Sequence, residues 1–149
     1  MATTTLKQLL NKIELFCTNH GQIKSFGTGS YFKIDTTHRY YPLLWVTPQP
    51  SYIKGNSVEL SLTIMVADIL DGEESNLVDV WSDALSIAED FVSYFSTWTG
   101  YYDEGLRLDE SSVYVEPFYH VLDNEVAGYF MKVLFIIPLP QNYCDIPQK

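Results

Sequence analysis

"SVELSLTIMVA", residues 57–67, decides the fold class. Val58, Leu60, Leu62, Ile64 and Val66 occupy every second position, with Glu59, Ser61 and Thr63 between them. Side chains alternate across a strand, so one side of this segment belongs to a core and the other to a wetter surface. The segment after the next polar corner changes period. Over residues 76–96, Leu77, Val80, Trp81, Ala84, Leu85, Ala88, Phe91, Val92 and Phe95 recur at helical spacing and give a long central helix with a broad apolar face. Asn76 suits its N-cap, and Asp79 sits in the first turn, where the helix dipole favours a carboxylate.

Outward from this pair, the N-terminal segment 5–19 predicts a further helix. Leu6, Leu9, Leu10, Ile13, Phe16 and Cys17 form one stripe, Thr5 and Gln8 form a T-x-x-Q capping box, and Gly21 stands where the helix should stop. Residues 22–41 mix strand-like pieces with "GTGS" at 27–30, which reads as a flexible turn because it lacks the GK[ST] of a phosphate-binding loop. "LLWVT" at 43–47 is a strand, and the prolines of "PQPSY" bar central pairing beyond it. Residues 97–111 predict a loop with exposed aromatics. A hairpin follows: 112–122, a turn at "DNE", and 126–138. The segment 139–149 is an extended tail. Long helices and strands segregate instead of alternating as βαβ units, which predicts one α+β domain over 1–149, its mainly antiparallel sheet packed against the N-terminal and central helices.

The last strand, "VAGYFMKVLFIIP", is apolar on both faces: Met131, Val133, Phe135 and Ile137 on one, Phe130, Leu134 and Ile136 on the other. A half-solvated antiparallel strand alternates instead, so a helix of the same chain or a neighbouring subunit is expected to cover the second face.

Composition narrows the function. The chain of 149 residues is 46% hydrophobic and 15% aromatic, in the range of a folded domain. No apolar run approaches the roughly 18 residues of a membrane span, and "MATTTLKQLL" lacks the pattern of a signal peptide, so an intracellular protein without a membrane partner is expected. Nine Lys and Arg against 19 Asp and Glu give a net charge of −10. Grip on nucleic acid comes mainly from cations on phosphates, so direct DNA or RNA binding is disfavoured. The acidity suits a self-repelling soluble surface, or a conduit past which DNA slides. Cys17 and Cys144 have no metal-ligand spacing, and Cys17 falls on the apolar face of its helix.

The densest chemistry is "VADILDGEESN", residues 66–76, with Asp68, Asp71, Glu73 and Glu74. It does not match a calcium loop, because its oxygen ligands do not alternate before Gly72. Asp71-Gly72 is turn chemistry beside a helix N-terminus, and a solvated corner is the favoured reading. His20, His38 and His120 form no i, i+4 pair. Tyr40, Tyr41 and Trp45, and likewise Trp98, Tyr101 and Tyr102, suit core or interface packing better than ligand stacking. No catalytic, cofactor-binding or metal constellation emerges.

The run "ELSLTIMVADILDGEESNLVDVWSDALSIAEDFVSYF", followed by "VEPFYHVLDNEVAGYFMKVLFIIPLPQNYC", resembles small virion proteins of tailed bacteriophages, the tail-terminator and head–tail connector (neck-ring) proteins, often from phages of Bacteroidetes hosts. The resemblance covers residues 5–145 in order and texture, including an apolar strand ending in Asp68, the helix containing "SDALSIAED", and a closing strand opening on Gly128-Tyr129. It implies a non-enzymatic structural protein of the virion, present in host cytoplasm during assembly. Copies would form a homo-oligomeric ring, a hexamer or dodecamer, against portal, adaptor or tail-tube proteins, with DNA only passing through the lumen. Trp98, Tyr101, Tyr102, Phe130, Leu134 and Ile136 would then serve as interface residues, and Asp68, Asp71, Glu73 and Glu74 would line the lumen or meet a partner. Two other classes remain: a small metal-dependent hydrolase using Asp68, Asp71 and Glu74, and an acidic module that binds a basic protein.

Overall fold

The computed structural model describes residues 5–30, 40–98, 106–121, 126–139 and 147, with only the backbone described at Thr97, Trp98, His120 and Val121. Two strands form its spine. β4 (Ser57–Ile69) and β7 (Val126–Pro138) pair antiparallel along their whole length, from Ser57 against Pro138 to Ile69 against Val126. On the outer side of β4, β2 (Leu43–Pro48) pairs with its second half and β3 (Tyr52–Lys54) with its start. β1 (Ser25–Thr28) adds to β2 in the parallel sense. On the outer side of β7 lie β6 (Tyr114–Val121) and, farther along, the two-residue β5 (Arg107–Leu108). The fold is α+β, with a mainly antiparallel sheet of seven strands among the described residues.

α1 (Leu6–Asn19) and α2 (Leu77–Trp98) pack on the same face of this sheet. The periodicity places the core correctly. Leu62, Ile64 and Val66 of β4 meet Met131, Val133, Phe135 and Ile137 of β7 beneath Leu9, Ile13 and Phe16 of α1 and Phe91 and Phe95 of α2. Aromatic rings lock the layers: Phe91 and Phe95 lie 4.6 Å apart, Phe95 meets Phe135 edge-on at 5.5 Å, and Phe16 meets Phe91 at 5.5 Å. The apolar arc of α2 is turned from the predicted one. Its buried line includes Ile87, while Trp81, Leu85 and Val92 lie half-buried on the flank facing β6.

The capping box of α1 forms as its spacing predicts. The Thr5 hydroxyl accepts from the Gln8 N–H at 3.2 Å, and the Thr5 N–H donates to Gln8 Oε1 at 2.8 Å. The helix ends at Asn19, two residues before Gly21. His20 is its C-cap, its backbone N–H reaching the Cys17 carbonyl, and its Nε2 meets Asp90 Oδ2 at 2.8 Å to tie α1 to α2. Because His20 Nδ1 accepts from the Gln22 N–H, the ring proton of the neutral form sits on Nε2 and donates to Asp90.

"GTGS" is not the flexible turn that its composition suggests. Gly27 and Thr28 end β1, and a Cβ on Gly27 would lie 2.2 Å from the Trp45 ring, so the glycine makes room for the indole. The Gly29 carbonyl then accepts from Trp45 Nε1 at 3.0 Å and from the Thr47 hydroxyl at 2.7 Å. Within the expected loop 97–111, α2 persists to Trp98 and β5 is anchored by buried Leu106 and Leu108, with residues 99–105 outside the described ones. The prolines act as expected at the end of β2: β1 covers only Leu43–Val46, so Pro48 pairs with Leu62 where its other side has no strand among the described residues. The tail from 139 onward also lies outside the described residues, apart from Leu139 and Pro147.

Candidate functional site

The acidic corner joins β4 to α2, and hydrogen bonds within it account for most of its polar groups. Asp71 accepts from the Ser75 N–H at 2.8 Å and from the Ser75 hydroxyl. The Ser75 hydroxyl above all holds its carboxyl below the usual carboxylate range. The Asn76 side chain turns back toward the strand: its Oδ1 accepts from the Asp71 N–H at 2.9 Å and its Nδ2 donates to the Ile69 carbonyl at 3.1 Å. Its backbone carbonyl still takes the first helical bond, from the Val80 N–H. Glu74 adopts the left-handed region at φ 58°, which closes the turn.

Asp68 sits deeper. Burial pushes its carboxyl above the usual range and Asp83 of α2 adds to the rise, while a 2.8 Å bond from the Ile69 N–H works against both. Glu73 points to solvent. Among the described residues no group of three or more His, Cys, Asp or Glu side chains is placed to hold a metal ion.

The sheet face opposite the helices is the other candidate. Its upper end is a second, smaller core in which Leu43, Trp45, Met65, Ala67, Phe118 and Val126 are buried together, with Phe130 packed against them. Phe130 lies in register with Met65 on one side and Glu116 on the other, and its ring meets Phe118 at 4.6 Å. Below it, Lys132 reaches solvent with its Nζ 5.6 Å from the Tyr114 ring. Leu134 and Ile136 continue the row, half-buried, beside Ser61 and Glu59. Glu59 pairs with Lys54 of β3 at 3.0 Å. Phe130, Leu134 and Ile136 thus share one face, as alternation predicts, but polar neighbours divide them into an upper cluster and a lower pair. Both helices lie on the other side, and no helix covers this row among the described residues.

The other expected interface residues are not placed: Tyr101 and Tyr102 lie outside the described residues, as does the side chain of Trp98. Pattern reading missed two features. Lys54-Gly55-Asn56-Ser57 is a two-residue hairpin that creates β3, with Gly55 at φ 55°, and the Gly-Asn step was its available signal. The second is the exposed flank of α2 against β6, hidden because Trp81, Leu85 and Val92 count as apolar face in a helical projection.

Compared with known proteins, the chain matches no family model and no curated protein. Among the described residues no helix is long and apolar enough to cross a membrane.

Proposed function

We propose that this protein is a non-enzymatic structural subunit of a tailed-phage virion, assembling as a hexameric or dodecameric ring at the neck or tail end and meeting portal, adaptor or tail-tube proteins. One observation carries the reading. The second apolar face of β7, with Leu134 and Ile136 half-buried and Phe130 at the edge of a small cluster, lies opposite both helices. A strand with apolar side chains on both faces needs cover on both, and a sister copy supplies it. A ring forms when the patch on one copy meets a different patch on the next and the rotation closes. The charge of −10 fits a lumen through which DNA passes without adhering. The resemblance of residues 59–95 and 115–144 to tail-terminator and neck-ring proteins points the same way.

Light scattering on the purified chain, with electron microscopy of the eluted species and of assembled particles, tests the proposal. A discrete ring and its presence at the portal–tail junction are the expected results. A strictly monomeric chain that is absent from particles overturns it.

A further inference from the structure

A separate apolar surface lies on the helix side of the sheet, along the seam between α2 and β6. Leu85, Ala88 and Val92 form one wall, Val113 and Val115 the other, and Met131 the floor of an open groove of about 400 Å³. Toward the start of α2 the seam continues through Trp81, whose ring meets Tyr119 edge-on at 6.1 Å and whose Nε1 donates to the Phe118 carbonyl at 3.0 Å. Tyr119 and Val78 are exposed there at 52% and 71%. Positions 78, 81, 85, 88 and 92 step by three and four, so they make one stripe along the helix, about 21 Å long at 1.5 Å per residue. Val115 and Tyr119 face the same seam from β6, which pairs with β7 and with no other strand among the described residues.

Charge selects what fits. From Gly55 to Met131 the chain holds a single Lys or Arg, Arg107, against 16 of its 19 Asp and Glu. Arg107 pairs in register with Ile136 and lines, with Ser96, Asp109 and Glu110, a separate pocket that shares no residue with this groove. Glu89 lines the groove itself. An apolar channel with the Glu89 carboxylate and no cation among its lining residues, in a strongly acidic stretch of chain, is complementary to a segment that brings both apolar side chains and Lys or Arg. A second copy of this chain carries the same excess of carboxylates and is the poorer match.

We infer that the α2–β6 groove is a docking site for a basic, amphipathic segment of another protein. This does not depend on the ring reading, which concerns the opposite face of the sheet.

The test uses the full chain and a fluorescent synthetic peptide, about four helical turns long, with Leu on one face and Lys on the other, read by anisotropy. A second peptide replaces every Lys with Glu. A benzophenone on the Leu face of the first peptide maps the contact by cross-linking. Saturable binding of the Lys peptide alone is expected, with cross-links in 85–93 and 113–115. Leu85→Gln and Val115→Gln should each weaken binding about tenfold, while Leu15→Gln on the exposed side of α1 should not change it. Circular dichroism confirms that each variant is folded. Four results would each overturn the inference: no saturable binding, equal binding of the Glu peptide, cross-links confined to the corner at 68–74, or Leu85→Gln abolishing self-association of the chain instead of peptide binding.

Discussion

Gly128 admits no side chain, and the reason is space. A Cβ at this position would lie 1.8 Å from the Val66 carbonyl oxygen, and that oxygen belongs to the paired backbone of β4. Backbone in the middle of a ladder has no rotamer by which to yield. Gly128→Ala is therefore expected to lower stability by at least about 2 kcal/mol, read as a reduced urea midpoint at unchanged slope. Asp68 carries the opposite kind of strain. Its carboxyl is raised in the fold, first by burial, so the folded state holds its proton to higher pH than the unfolded chain does. The resulting stabilisation is complete below the ordinary carboxylate value and is lost as pH rises through the raised one. Asp68→Asn keeps an oxygen for the Ile69 N–H and removes the ionisation, so it should raise the urea midpoint at pH 7 and flatten the pH profile on that limb. Cys17 is a third residue whose environment fixes its behaviour: burial pushes its thiol up to about 12, and it should resist alkylation at pH 8 until the chain unfolds. Peptide mapping after labelling of native and urea-unfolded protein separates it from Cys144. None of these three values is written in the residue itself. Cys17 alone was legible, from its place in the stripe of α1, whereas Gly128 and Asp68 depend on what β4 and α2 bring beside them.

At the scale of elements, legibility followed length and period. β4, α1 and α2 each repeat their pattern over three or more turns or pairs, so their existence could be read directly, and for β4 and α1 the inner face as well, whereas the buried arc of α2 is turned from the one its pattern predicts. β5, of two residues, exists only because β7 offers an edge to pair with, and no pattern of that length can announce it, while the three residues of β3 are announced only by the Gly55-Asn56 turn beside them. β1 was obscured for a different reason, since Gly27, which suggests a turn, is there to admit the Trp45 ring, and only Gly29, at φ 124°, serves a bend. The acidic corner was correctly legible as a link between strand and helix, but the use of its residues was not. Asn76 stood out as a cap for α2, yet its side chain fastens the end of β4 to the turn through Ile69 and Asp71. Asn76→Ala removes both bonds and should cost about 1–2 kcal/mol, because the Asp71 N–H and Ile69 carbonyl lose protein partners together. Thermal or urea unfolding measures that loss. Hydrogen exchange should show faster exchange at residues 69–77 in particular, a local signature that a general loss of stability would not produce.

At the scale of the molecule, the decisive asymmetry is that both helices occupy one side of a sheet whose central strand is apolar on two. The upper end of the side opposite the helices buries its own cluster around Trp45, Met65 and Phe118. The lower end differs, because Leu134 and Ile136 stand beside Ser61 and Glu59 and remain half-buried. If sister copies shelter this pair, then replacing both with Lys places charges where a neighbour's apolar side chains must dock, while leaving the helix-side core untouched. The double variant Leu134→Lys/Ile136→Lys should elute as a folded monomer by light scattering, with an unchanged far-ultraviolet dichroism spectrum, in contrast to the ring proposed for the natural chain. Apolar contact also predicts the response to salt. In about 1 M NaCl the screening length falls to roughly 3 Å, so an assembly held by exposed ion pairs would loosen, whereas one held through Leu134 and Ile136 should persist or tighten. Persistence of the ring in the double variant, or its dissolution by salt alone, would move the interface away from this end of β7.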